Sequence, residues 1–148
     1  MPSVPLRVLH VRLVMLVHGA LLANILASLG VHEIDARSAC GWWSLNRKKV
    51  AKSKADYWVF VLARFERRST DFVTIKPSEL LARLDTIHGK EKTIQRHLWV
   101  TEKNRCWETC DLKRQAHSAI AQGQYSNGER DLSAYLNNWN PVKALNGK

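Results

Sequence analysis

Apolar residues fall along this chain in runs whose period changes from segment to segment. Residues 57–62 read Tyr-Trp-Val-Phe-Val-Leu, an unbroken aromatic and β-branched run. Without polar alternation, it predicts a central strand buried on both faces. After a charged turn at 64–69, residues 71–75 (Asp-Phe-Val-Thr-Ile) predict a second strand, antiparallel to the first. The period then changes. Leu80, Leu81, Leu84 and Ile87 form a helical stripe that starts after Pro77-Ser78-Glu79 and ends at Gly89. Ser78 is the expected N-cap, and Glu79 places a negative charge in the first turn. Residues 94–100 and 105–110 predict two shorter strands around a Glu102-Lys103-Asn104 turn. A helix is expected at 112–121, a polar loop at 123–128, and a last short helix at 131–139, ending before Pro141.

The N-terminal part is less orderly. Residues 1–12 read as a loose arm or a short edge strand. Residues 13–30 are nearly uncharged and follow Arg7 and Arg12, which is the shape of a signal peptide or a short membrane anchor. His18, Asn24 and Ser28 interrupt that stretch, and Ala-Ser-Leu-Gly is a poor cleavage site. Leu21, Leu22, Ile25 and Leu29 instead fit one face of a buried helix, with Gly30 as its C-cap. The buried helix is the preferred reading and the membrane anchor the alternative. Residues 31–39 are short and mixed and fit a strand. The order of elements predicts one α+β domain over residues 1–148, a small mixed sheet flanked by helices.

Charge alters the picture more than hydrophobicity does. Lys plus Arg number 23 against 13 Asp plus Glu, a formal net charge of +10. A polyanion is the natural partner, because each phosphate neutralised releases a counterion. The charge has a focus in residues 47–54, where Arg47, Lys48, Lys49, Lys52 and Lys54 place five cations in eight residues. This segment is expected to be an exposed loop. Trp42, Trp43, Tyr57 and Trp58 lie close in sequence; at least one of Trp42 and Trp43 belongs to the core, and Trp42 is the candidate for stacking on a base. A solvated turn is the competing reading of the cations.

Three cysteines, Cys40, Cys106 and Cys110, form no disulfide framework and fit a reducing cytoplasm. Cys106 and Cys110 have the spacing of half a zinc site, but no second pair completes it, and they read more simply as small hydrophobes on a strand. His88, His97 and His117 are scattered without metal spacing. No Gly-rich phosphate loop is present, and no Ser or Cys sits on a nucleophile elbow.

From Trp42 to Leu84 the chain carries a tryptophan, a basic loop, Ala55-Asp56-Tyr57-Trp58-Val59-Phe60-Val61, and Asp71-Phe72-Val73-Thr74-Ile75-Lys76-Pro77-Ser78-Glu79-Leu80. This resembles the C-terminal half of restriction-endonuclease-like proteins of the PD-(D/E)xK type, and Tyr135-Leu136-Asn137-Asn138-Trp139 resembles their tail. The similarity runs over residues 42–140, with a weak stretch at 111–130. It implies a restriction-endonuclease-like fold, here incomplete, and a DNA partner. It also implies a Mg²⁺ held by hard carboxylate ligands, which would activate water against a phosphodiester. Only residues 31–41 are available for that machinery. They supply Glu33 and Asp35, which alternate to one face of a strand, with His32 beside them. Asp35 stands where the family has its lysine, residues 1–32 hold no aspartate, and Arg37 is the substitute cation. Glu33, Asp35 and Arg37 are therefore the candidate catalytic residues, and Glu33 and Asp35 the candidate metal ligands. The expected function is nucleic-acid binding with a degenerate metal site; the alternatives are an active Mg²⁺-dependent endonuclease and a membrane-anchored protein.

Overall fold

The computed structural model of the chain describes residues 11–15, 39–64 and 69–145. In chain order the elements are β1 (Val11–Met15), β2 (Ala39–Asn46), α1 (Arg47–Ala51), β3 (Tyr57–Arg64), β4 (Ser69–Ile75) and α2 (Pro77–His88). β5 (Thr93–Val100), β6 (Cys106–Glu108), α3 (Arg114–Gln122), a 3₁₀ turn (Ser133–Tyr135) and α4 (Asn140–Leu145) follow. The fold is α+β, with two three-stranded sheets ordered β1-β3-β4 and β2-β5-β6.

The apolar run at 57–62 does form the centre of the first sheet. β3 is parallel to β1 and antiparallel to β4. Tyr57 through Phe60 and Leu62 are buried, and Val61 is half-buried, as expected of a strand covered on both faces. The second sheet is wholly antiparallel. Its β5–β6 hairpin closes through the Thr101 N–H on the Arg105 carbonyl (2.8 Å), with Asn104 in the left-handed region at φ 57°. Trp43 and Leu45 of β2, Phe60 and Leu62 of β3, Val73 and Ile75 of β4, Leu80 and Leu84 of α2, and Ile94, Leu98 and Val100 of β5 share one core. On the other face of the second sheet, α3 lays Ile120 against Trp99 and Trp107.

The C-terminal segment joins the two sheets. The Leu132 N–H donates to Cys106 of β6 (2.8 Å), and the Asn137 N–H donates to Phe72 of β4 (2.7 Å). The Asn137 side chain takes the Phe72 N–H and gives a hydrogen bond to the buried Asp71 carboxylate (2.9 Å). Arg83 of α2 clamps the same segment through the carbonyls of Glu129 (2.7 Å) and Asp131 (3.1 Å).

Several expectations are corrected. Residues 13–15 belong to strand β1 rather than to a helix, because an apolar run satisfies either period and the parallel edge of β3 supplies backbone partners. The rest of the stretch to residue 30 lies outside the described residues, and no described helix is long and apolar enough to cross a membrane. The expected strand at 31–39 is outside them too, except Ala39, which opens β2. The 47–54 loop begins as helix α1: the Asn46 side chain accepts the Lys49 N–H (3.2 Å), and Val50 is buried beneath. Helix α2 is capped by Lys76, not Ser78, since Pro77 pre-sets the first helical φ; Glu79 stays in the first turn. The strand at 105–110 stops at Glu108, where Arg130 takes the carbonyls of Glu108 and Cys110. α3 starts at Arg114 rather than 112. No helix spans 131–139; that segment carries a 3₁₀ turn and isolated bridges to β6 and β4, and Pro141 instead sits in the first turn of α4, where its missing N–H costs nothing.

Gly41 shows how tightly the core is built. A Cβ there would lie 2.0 Å from the nearest ring carbon of Trp43, which folds back over the strand and meets Phe60 edge-on at 5.1 Å. Gly41→Ala should destabilise the protein by about 1–3 kcal/mol through overpacking. Urea unfolding followed by tryptophan fluorescence reads this; an unchanged midpoint would mean that the ring does not rest there.

Candidate functional site

On the core side of the second sheet, β5 and β6 carry a charge pair where the pattern of inward residues calls for apolar ones. Arg96 follows Ile94 and precedes Leu98 in the inward phase of β5, and Glu108 lies opposite Leu98 on β6. Both side chains are 1% exposed, and Arg96 Nε lies 2.7 Å from Glu108 Oε2. The Nε–H is not aimed along that contact, so the attraction is that of an ion pair rather than of a linear hydrogen bond. The guanidinium lies 4.5 Å over the Phe60 ring, and Nη1 has no hydrogen-bond partner among the described residues. Glu108 Oε1 accepts the His97 backbone N–H at 3.1 Å. Burial pushes the Glu108 carboxyl up to about 7, against the pull of Arg96, and lowers the Arg96 guanidinium from its ordinary value.

His88, the last residue of α2, reaches this pair. Its side chain is 5% exposed, with Nε2 3.9 Å from Glu108 Oε1 and Nδ1 4.0 Å from Asp111 Oδ2. Nε2 is buried and makes no hydrogen bond among the described residues. Burial lowers the His88 pKa, opposed by the nearby Asp111 carboxylate. Beside it lie the buried Cys110 and the Asp111 side chain, 82% exposed. Asp111 adopts φ 60°, which turns the chain out of the strand. Burial pushes the Cys110 thiol up to about 12, so it is a protonated, unreactive thiol as it stands. One potential ligand atom from each of His88, Cys110 and Asp111 lies within 4.8 Å of the others; among the described residues, no other group of three or more His, Cys, Asp or Glu is placed to share an ion.

The basic segment forms a second feature at the C-terminal end of β2. Lys48, Lys49, Lys52 and Lys54 are all exposed on α1 and the turn after it. Arg47 does not join them. It pairs with Asp85 (2.6 Å) and donates to the Gly89 carbonyl (2.8 Å), so its charge fastens α1 to α2. Trp42 is half-buried on the outer face of β2, edge-on to His97 at 6.3 Å, away from the core side taken by Trp43. An open cavity of about 540 Å³ adjoins α1, lined by residues that include Val50, Ser53, Tyr57, Lys76 and Ser78. A smaller one, about 310 Å³, lies between the β5–β6 turn and α3 beside Lys103, Arg105 and Tyr125, but Arg105 is already paired with Asp131.

Glu33, Asp35, Arg37 and His32 lie outside the described residues. Cys106 and Cys110 do not form half a zinc site: Cys106 is in the core, and only Cys110 faces His88. The His88–Cys110–Asp111 group had no local sequence signal, since its first member is 22 positions before its second. Arg96 did have one, being a charge in phase with buried apolar neighbours, which demands a buried partner. Comparison with family models, curated proteins and solved structures finds no match to this chain.

Arg96→Met should cost about 3–5 kcal/mol, because it leaves the Glu108 carboxyl buried without its cationic partner. Adding Glu108→Gln, which keeps the acceptor for the His97 N–H, should recover most of that loss. Chemical denaturation of both variants decides it; a double variant no more stable than Arg96→Met would mean that the unpartnered carboxyl is not the cause.

Proposed function

We propose that this protein binds nucleic acid through the surface of α1 and the turn that follows it. The observation that carries this reading is the exposure of Lys48, Lys49, Lys52 and Lys54 on one short segment that contains no acidic residue. α1 is held by its Asn46 cap, by the Arg47 ties to α2 and by the Arg47 N–H on the Lys92 carbonyl (3.0 Å). Anchored cations lose less freedom on meeting a phosphate backbone than cations on a loose loop. Lys76, also exposed, extends the positive surface along the rim of the adjoining cavity. The net charge of +10 supplies long-range attraction to a polyanion.

The resemblance of residues 42–140 to restriction-endonuclease-like proteins favours DNA as the polyanion. The reading stops at binding. A Mg²⁺ site needs clustered oxygen ligands, and the group found among the described residues mixes nitrogen, sulfur and oxygen. The three cysteines are unpaired, which suits a reducing compartment, and the reading places the protein in the cytoplasm.

Binding should weaken steeply with salt. Each of Lys48→Ala, Lys49→Ala, Lys52→Ala and Lys54→Ala should reduce the log–log salt slope by about 1 and weaken all sequences alike. Titration of labelled duplex DNA from about 50 to about 200 mM salt measures this. A quadruple variant with the wild-type slope would remove α1 from the interface.

A further inference from the structure

We propose that His88, Cys110 and Asp111 form a binding site for a zinc-class divalent transition metal, with Glu108 as the outer carboxylate that orients His88. This goes beyond nucleic-acid binding and does not depend on it. The three side chains supply one imidazole nitrogen, one thiolate sulfur and one carboxylate oxygen, the donor set of a borderline metal rather than of Mg²⁺ or Ca²⁺. Bonds of about 2.0–2.3 Å in a tetrahedron put ligand atoms about 3.3–3.8 Å apart. The present atoms, all within 4.8 Å of one another, come to that spacing by small rotations, most easily of the exposed Asp111.

The two faces of His88 agree with this assignment. Nδ1 points toward Asp111 at 4.0 Å, and Nε2 toward Glu108 at 3.9 Å. A metal on Nδ1 leaves Nε2 as the protonated nitrogen, directed at a carboxylate. This is the histidine–carboxylate pairing that fixes ring orientation in metal sites. That buried nitrogen makes no hydrogen bond among the described residues. Glu108 is itself held by Arg96 and the His97 N–H, and the Cys110 backbone by Arg130 on its carbonyl at 2.8 Å. The outer shell is therefore in place before any metal arrives. Coordination displaces the Cys110 thiol proton to solvent, and thiolate plus carboxylate then neutralise the dication. Three protein ligands leave one position of a tetrahedron for water, on the side where Asp111 opens to solvent.

Co²⁺ titration of the metal-free full-length chain tests the site. The wild type should develop a thiolate-to-cobalt band in the near ultraviolet and intense tetrahedral d–d bands, both saturating at one equivalent. Zn²⁺ should abolish them, and excess Mg²⁺ should not. The thiolate band should persist in Cys40→Ser and vanish in Cys110→Ser. Asp111→Asn suits the left-handed backbone and leaves the core untouched. It should stay folded by circular dichroism yet bind Zn²⁺ at least about tenfold more weakly. A folded wild type without the band, a band that survives Cys110→Ser, or a folded Asp111→Asn with unchanged Zn²⁺ affinity would each overturn the proposal.

Discussion

Arg96 and Glu108 meet where the two sheets and α2 come together, and the placement of much else follows from that contact. Arg96 lies on β5 and Glu108 on β6, so the pair spans the hairpin of the second sheet. The guanidinium covers Phe60 of β3, tying that sheet to the first. His88 brings in the end of α2. Two charges 1% exposed are costly to desolvate, and their mutual attraction offsets the cost only where the geometry is well supported. The support is visible: a backbone N–H on Glu108, an aromatic face under Arg96, and Arg130 on the carbonyls that follow. A slipped register of β6 against β5 would strand both charges, so the pair disfavours that alternative.

The two proposed activities draw on the ends of two strands, β2 and β6, which both run antiparallel to β5 and so leave the second sheet in the same direction. At one end the sheet delivers β2 to Asn46, where capping starts α1 and turns the lysines outward. At the other, β6 stops at Glu108 and the chain turns through Cys110 and Asp111 beside His88. One end is an electrostatic surface, exposed and sensitive to salt. The other is a buried cluster with one exposed member, chosen by ligand softness rather than charge. Arg47 illustrates the difference between charge in the sequence and charge at a surface. It belongs to the basic run, yet its guanidinium is consumed by Asp85 and Gly89.

Elements with a strong local period were legible in the sequence. The unbroken 57–62 run, its antiparallel partner and the stripe of α2 needed no knowledge of distant residues. Where two periods fit the same residues, as at 13–15, only the edge of β3 decided between helix and strand. The final segment misled for a related reason. Residues 131–139 have local helical character, but Leu132 and Asn137 give their N–H groups to Cys106 and Phe72, far away in sequence. The basic surface was legible because exposure follows from charge density. The His88–Cys110–Asp111 group was not, because it exists only once α2 and β6 are packed. Arg96 lay between these cases, its phase on β5 announcing a buried charge but not its partner.

The central functional claim is that nucleic acid meets this protein at α1. Amide chemical-shift mapping of the isotope-labelled full-length chain, titrated with a short DNA duplex, tests it most directly. The largest shifts are expected at residues 47–54, with smaller ones at Lys76, all collapsing as salt is raised. Saturable shifts elsewhere while residues 47–54 stay unmoved, or no shifts at low salt, would contradict it.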